Sequence, residues 1–583
     1  MYVLGISCFY HDSAVCLLKD NEIIGASSEE RFSRIKNDSS FPNLAIDWVL
    51  NEAGILPKDI DFIGFYEKPV LKLDRILETY ITESPKGYRS FVEVGNSWIN
   101  QKLFIRKIIK QNLGVEKPVI FSTHHLSHAA SAFFASDFDT AAILTVDGVG
   151  EWSTTTLGIG KNNHIDIFKE IKYPHSIGLL YGAFTYYLGF RVNNDEYKVM
   201  GASSYGEPKY YEKIVDNVID VKDDGSFQLN MKYFPYTHDF KMINQKFENL
   251  FGNPKRNSKD EIKQFHYDIA ASIQRVTEDI LLKICNYLHN ETKEKNLCMA
   301  GGVALNSVAN GKILKTTNFS DLFIQPAADD SGGAMGAAFN VYYDFLNEKR
   351  QIVNTLENSS NTISKISFSP YLGPKYSNDE IKVLLEKNHY PLHYFSDDDL
   401  ISKTAKLLSE EHVVSWFQGR MEWGPRALGN RSILATPQSE KMRDIVNIKV
   451  KKREPFRPFA PVITLEKTLD YFDLNGESPY MLLVVRATND KIPAVTHVDG
   501  SARVQTVTEG QNFRYYHLIK KFGEITGVPV LMNTSFNVAG EPLVCSPYDA
   551  LRTFEYTEID NLVMGNFILN RDDKKGDRDL VVK

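Results

Sequence analysis

The sequence predicts an α/β fold in more than one domain, with its first part built as a duplication. Three observations point that way. At 583 residues the chain is too long for one ordinary core. A strand–loop–strand unit in residues 2–26 is followed by a related one at 141–160. Two later apolar strands run into glycine turns and then into small-residue helices. Two strand–Gly/Asp loop–strand units this far apart suggest a duplicated, nucleotide-binding architecture of the actin and sugar-kinase kind.

Taken in order, Tyr2–Ser7 (YVLGIS) reads as a strand, followed by a loop through His11-Asp12-Ser13. Ala14–Leu18 and Glu22–Ala26 follow as strands separated by the turn Lys19-Asp20-Asn21. Ala141–Val146 runs into Asp147-Gly148-Val149-Gly150, and Thr154–Gly158 climbs out again. Ile269, Ile273, Val276, Ile280, Ile284 and Leu288, at spacings of three and four, predict an amphipathic helix over 265–290. The strand Leu297–Ala300 then turns on Gly301-Gly302 toward a helix, and a comparable turn occupies Asp329-Asp330-Ser331-Gly332-Gly333. Glycines at such turns let the backbone approach a ligand, and a following helix N-terminus offers N–H groups to phosphate. Periodicity is lost in the polar stretch 346–375, which places a boundary between domains at 1–350 and 366–583. The second domain begins with a helix (Asp379–Lys387) and a buried strand (Val413–Phe417). Later, the strand Val528–Met532 leads to a turn at Asn533-Thr534-Ser535.

Composition excludes several classes. The chain is 43% hydrophobic and 24% charged, a globular balance. A net charge of −7 argues against a nucleic-acid binder held by its overall field. Five scattered cysteines without a CxxC pair give neither a disulfide scaffold nor a cysteine zinc site. The first residues lack the basic stretch of a signal peptide, and no apolar run approaches the roughly 20 residues needed to span a bilayer. A cytoplasmic protein is expected.

The sharpest chemical pattern is His124-His125-Leu126-Ser127-His128. On a helix, His124 and His128 share a face and can share a metal. No glutamate stands between them as in zinc-protease motifs, and an isolated pair of this spacing also arises where histidines simply bond locally. Asp147 and Asp330, each at a glycine turn, supply carboxylates, and two imidazoles with two carboxylates suit iron, manganese or zinc. His11, in the loop between the first two strands, has the titration range of a general base. From 415 to 460 the chain carries ten Lys/Arg against four acids, a local +6 interleaved with Gly, Pro and Phe. That reads as a pocket for a small anion.

The combination HDSA, EERFSRIK, HHLSHAASAF, TVDGVGEW, DEYKVMG, GGVALN, GRMEWGPRALGNRSIL, KREPFRPFAP, HVDGSARVQTV and MNTSFNVAGEP resembles the O-carbamoyltransferases of the nodulation-factor and tobramycin type. Within that NodU-like family it looks nearest to the branch with the saxitoxin-pathway carbamoyltransferases. The resemblance covers nearly the whole chain in motif order.

It implies an actin-like, Kae1-like first domain and a YrdC-like α/β second domain. In the family, carbamoyl phosphate and ATP, with Mg2+ as its usual companion, give carbamoyl-adenylate in the second domain. A hydroxyl of a small-molecule acceptor then takes the carbamoyl group in the first. By motif, His124, His128, Asp147 and Asp330 match the metal ligands, with Fe2+ the family's metal. Asp330 is preferred over Asp329 because it opens the Asp-Ser-Gly turn. Gly302 and Asn306 match positions touching the adenylate. His11 matches the base, and Lys36 a residue near the carbamoyl group. Arg426, Lys451, Arg457, Arg503 and Asn533 match the carbamoyl-phosphate and nucleotide pocket. Two departures stand out: Ala202-Ser203-Ser204-Tyr205 replaces an expected Leu-Ala-Pro-Tyr, and Asp329 doubles the usual single acid. Competing readings are a tRNA threonylcarbamoyl transferase, which the first domain alone favours, and a non-catalytic nucleotide-binding regulator. No nucleic-acid or membrane partner is expected, and a homodimer is open.

Overall fold

A computed structural model describes residues 1–100, 102–350, 368–454 and 456–573. The chain divides into two compact units, Met1–Ser33 with Asn37–Phe368, and Arg34–Lys36 with Ser369–Lys583. Most of the polar stretch expected to separate the domains lies outside the described residues.

In the first unit the strands Tyr2–Ser7, Ala14–Lys19, Glu22–Ser28, Phe62–Phe65 and Val119–Phe121 form one sheet. Numbered within the sheet, their order is 3-2-1-4-5. The first three are joined antiparallel, and the fourth and fifth are added in parallel. Thr140–Val146, Ser153–Lys161, His164–Lys172, Asn296–Ala300 and Asp321–Phe323 repeat that order and those directions in a second sheet. The duplication suggested by two short sequence units is thus a duplication of whole sheets.

Each half ends in a helix that packs on the sheet of the other half. His124–Phe133 follows the first sheet and lies on Asn296–Ala300 and Thr140–Val146 of the second. Gly332–Phe339 follows the second sheet and lies on Tyr2–Ser7, Ala14–Lys19 and Phe62–Phe65 of the first. Glycine permits this closeness: a Cβ added at Gly5 would sit 1.9 Å from the Ala334 carbonyl oxygen, and one at Gly336 would sit 1.7 Å from that of Ser127. The first sheet's core joins Leu4, Ile6, Val15 and Leu17 to Ile46, Val49 and Leu50 of the helix Asn43–Ala53. The long amphipathic helix runs over Gln264–Thr292 and buries all six expected apolar positions.

The second unit is an eight-stranded mixed sheet. Its order is Leu483–Arg486, Ser501–Val507, Ala460–Thr464, Val530–Ser535, Arg431–Ala435, Val414–Phe417, Asn561–Met564, Phe567–Asn570. The helices Asp397–Ser409 and Phe513–Thr526 cover it through Leu400, Leu408, Leu518, Ile519 and Phe522. The strand expected to stop at Met532 continues to Ser535, so Asn533 sits inside the sheet rather than in a turn. Its neighbours Ala460 and Leu434 hold it there by backbone pairing. Among the described residues no helix is long and apolar enough to cross a membrane.

Candidate functional site

Helical spacing places His124 and His128 one turn apart on a buried helix, and their Nε2 atoms are 3.1 Å from each other. Asp147, just past the end of Thr140–Val146, brings Oδ2 to 3.1 Å from His124 Nε2. Asp330, just before the helix Gly332–Phe339, brings Oδ1 to 3.5 Å from His124 Nε2 and 3.4 Å from His128 Nε2. One donor atom from each of the four falls within 4.8 Å of all the others.

The arrangement asks for a cation. Both oxygens of Asp330 are sealed from solvent and have no hydrogen-bond partner. Burying a carboxylate without hydrogen bonds costs several kcal/mol unless opposite charge stands beside it. Burial opposes charge throughout the cluster, yet the two carboxylates push His128 up to about 10, and the histidines beside Asp330 bring it to about 2. Protons on imidazole here stand in for the positive charge a metal would bring, and two nitrogen and two oxygen donors fit a divalent transition ion.

Neighbouring residues hold the ligands in place. Asp147 uses its other oxygen, Oδ1, to accept the Gly302 N–H at 2.8 Å, which leaves Oδ2 facing the histidines. Glu151 accepts the His124 backbone N–H at 3.0 and 3.1 Å and the Lys68 N–H at 2.7 Å, placing a carboxylate at the positive end of the histidine helix. Sequence reasoning passed over Glu151, although it follows Asp147 by one helical turn's spacing in TVDGVGEW. His125 turns away: its Nδ1 pairs with Thr145 Oγ1 at 2.6 Å, and burial, with the two adjacent imidazoles, drops it to about 3. Asp329 accepts hydrogen bonds from the Ser331 N–H and hydroxyl rather than joining the four.

His11 faces the same cluster, with Nε2 3.7 Å from Asp330 Oδ2. Its Nδ1 lies 2.7 Å from Asp12 Oδ2, and Asp12 Oδ1 accepts the Asn37 amide at 2.7 Å. The loop is held in a demanding shape, since Phe9 and Asp12 both have positive φ (72° and 55°). Burial opposes charge on His11, yet Asp330 and then Asp12 raise its pKa well above the usual imidazole value, so the ring keeps its proton between two carboxylates. Lys36 groups with the second unit. Asn306 caps the helix Ser307–Thr316 through the Ala309 N–H and exchanges two 3.0 Å bonds with Gln274. Its amide is therefore committed to neighbouring protein groups.

In the second unit basic side chains converge. Lys451 is buried and directs its ammonium at Ser535 O, Ser535 Oγ, Asn537 O and Asn537 Oδ1, at 2.5 to 3.0 Å. Burial, then Arg453, Arg457 and Lys36, depress its pKa well below the usual lysine value. Burial, then Arg426, Arg453 and Arg457, do the same to Arg503. Glu454, 37% exposed, lies 3.7 Å from Arg457. Asn533 donates to Ala427 O and Gln505 Oε1, leaving Oδ1 buried without a partner. Of the five residues expected in the pocket, Arg426, Lys451, Arg457 and Arg503 lie with Arg453, which sequence reasoning counted but did not single out, while Asn533 bonds to Ala427 and Gln505. Arg420 and Arg431 have structural roles. Arg420 holds the Leu372 and Gly373 carbonyls, while Arg431 lies over Phe417 and binds the carbonyls of Gln418, Gly419 and Pro374. Glu422, also unforeseen, gathers the N–H groups of Leu428, Asn430 and Arg431 on one oxygen and so shapes the loop bearing Arg426.

Two family models match this chain, the carbamoyltransferase N-terminus over residues 2–339 and the carbamoyltransferase C-terminus over residues 405–571. The chain belongs to the carbamoyltransferase family. This carbamoyltransferase is 47% identical to an uncharacterized protein of Synechocystis sp., over 97% of this chain and 96% of that one. It is 35% identical to nodulation protein NolNO of Sinorhizobium fredii, over 97% of this chain and 79% of the relative. To the 3'-hydroxymethylcephem-O-carbamoyltransferase of Streptomyces clavuligerus it is 26% identical, over 95% of this chain and 96% of the relative. This enzyme is thus a carbamoyltransferase with an O-carbamoyltransferase among its relatives, and the metal-ligand candidates fall in its N-terminal family region, the basic cluster in its C-terminal one.

Proposed function

We propose that the enzyme is an ATP-dependent O-carbamoyltransferase working in two steps. In the second unit, read as a YrdC-like domain, carbamoyl phosphate, ATP and one water give carbamoyl-adenylate, phosphate and pyrophosphate. In the first, read as a Kae1-like domain, the hydroxyl of a small molecule attacks the carbamoyl carbon and AMP leaves.

The observation that carries this reading is the convergence of Arg426, Arg453 and Arg457 on Arg503, and of Arg453 and Arg457 on buried Lys451. Like charges gathered this closely favour polyanions, and carbamoyl phosphate with the ATP phosphates supplies them. In the first unit, Asp12 orients His11 through Nδ1, and with a cation held beside Asp330 to offset the carboxylate that raises the ring's pKa, Nε2 could take the acceptor's hydroxyl proton. His124, His128, Asp147 and Asp330 would hold a divalent ion, with iron the metal the family resemblance implies. Bound there, such an ion supplies Lewis-acid polarisation of the transferring group. Gly302 steadies Asp147 through its N–H.

The test is pyrophosphate release from ATP, with and without carbamoyl phosphate, in the wild type and in Arg457→Ala. Release that requires carbamoyl phosphate and falls about 100-fold or more in the variant is expected. No release from folded, metal-loaded enzyme overturns the two-step scheme.

A further inference from the structure

His497 stands in the turn that leads into the strand Ser501–Val507, and neither step above uses it. The turn is tight: the His497 N–H donates to Ser501 O at 2.8 Å, and the Gly500 N–H donates to His497 O at 2.9 Å. Across it, His497 Nδ1 lies 3.1 Å from Ser501 Oγ. The Ser501 hydroxyl proton is already engaged, because it donates to Asp499 Oδ1 at 2.6 Å. A carboxylate accepts only, and a hydroxyl has one proton to give, so Ser501 Oγ must receive from His497 Nδ1–H. The tautomer follows. Nε2 carries no proton and presents a lone pair.

That lone pair is sealed from solvent and has no partner. Protonation does not relieve it, since burial and the charge of Arg503, against the pull of Asp499, hold the ring at about 4. Arg503 is two residues beyond Ser501 and so shares its face of the strand. Its own Nε is buried without a partner, and Arg426, Arg453 and Arg457 are its charged neighbours. A bare acceptor at the edge of an arginine cluster is not explained by the phosphate of carbamoyl phosphate, which as a dianion also only accepts. The one donor in that molecule is its amide nitrogen.

We propose that His497 Nε2 accepts a hydrogen bond from the amide nitrogen of carbamoyl phosphate, making His497 a specificity-determining residue that selects the carbamoyl group while the arginines hold the phosphate. This rests on the reading that the second unit takes carbamoyl phosphate. Acetyl phosphate is the natural comparison, because a methyl replaces the amide nitrogen at nearly the same size and charge. A site built around a buried acceptor rejects the analogue that cannot donate.

The experiment measures the KM for carbamoyl phosphate in pyrophosphate release and the Ki of acetyl phosphate as its competitor. In the wild type, the KM is expected to lie at least tenfold below the Ki. His497→Phe, which keeps the ring volume and removes the acceptor, raises the KM tenfold or more and leaves the Ki unchanged. His497→Gln, with an amide oxygen near the same place, recovers part of the loss. Arg503→Gln weakens both ligands together. Ser501→Ala keeps the imidazole but frees its tautomer, and raises the KM about threefold without moving the Ki. It serves alone if His497→Phe does not fold. A KM that stays put, or a KM and Ki that rise in step in the histidine and serine variants, overturns the proposal. Absence of carbamoyl-phosphate-dependent release in the wild type overturns the underlying reading instead.

Discussion

Asp330 carries two buried oxygens without a hydrogen bond, facing imidazoles of His124 and His128 at 3.5 and 3.4 Å. Asp330→Asn removes the charge while keeping the shape. We expect metal content after gel filtration to fall to background, with affinity reduced at least 100-fold. Acceptor carbamoylation should be lost while carbamoyl-phosphate-dependent pyrophosphate release stays within about twofold. Parallel loss of both activities would show that the two chemistries are not divided as proposed. His497 gives a pH signature. Its folded pKa of about 4 lies below the roughly 6.5 of an exposed imidazole. Between those values the unfolded chain binds a proton that the folded one refuses, so stability falls as pH falls from about 6.5 to 4. The loss is on the order of 3 kcal/mol. Urea unfolding across that range should show the slope in the wild type and a shallower one in His497→Phe. The four metal-ligand candidates were legible in the sequence because helical spacing and strand-end turns are local signals. Glu151, Glu422 and the Gln274 partner of Asn306 were not, because their roles depend on backbone N–H groups or amides that only the fold brings near.

At the scale of elements, the strands of both repeats and the long helix follow from apolar pattern and turn chemistry, and the structure moves their ends by only a few residues. The helix Pro69–Glu83 is the instructive opposite, a segment for which sequence pattern supplies no reading. It buries Lys72 and Arg75 and exposes Val70 and Ile81 at 70% and 75%. Lys72 is held by Glu67 at 2.5 Å, and the Arg75 guanidinium lies 4.8 Å over the Tyr173 ring. An apolar face turned outward and charges turned inward invert the rule by which periodicity is read. Helix-on-sheet packing also makes a prediction. Gly5→Val drives a side chain into the Ala334 carbonyl and should lower stability by about 3 kcal/mol, whereas Gly95→Ala meets open space and should not. Chemical denaturation with metal retention as a second readout distinguishes the two.

Over the whole molecule, charge is unevenly distributed, with −7 in total and +6 concentrated between residues 415 and 460. A tRNA substrate would need a broad phosphate-binding field, whereas the arginines here converge on one pocket beside buried Lys451. Filter binding at about 50 mM salt should therefore show no saturable tRNA retention, and retention that weakens steeply with salt would favour the tRNA-modifying alternative. The repeated sheet order has a consequence for descent. The hairpin loop carrying His11 and Asp12 and the one beginning at Asp147 occupy the same place in two copies of one plan, as do the starts of the helices His124–Phe133 and Gly332–Phe339. An ancestor with identical halves would have presented the same residues twice around a symmetric cleft. In the present chain one hairpin carries His11 and the other the metal-ligand candidate Asp147, and one helix start carries a histidine and the other an aspartate. Each of these positions therefore has a twin, and exchanging residues between twins asks how far the asymmetry of the chemistry lies in side chains alone.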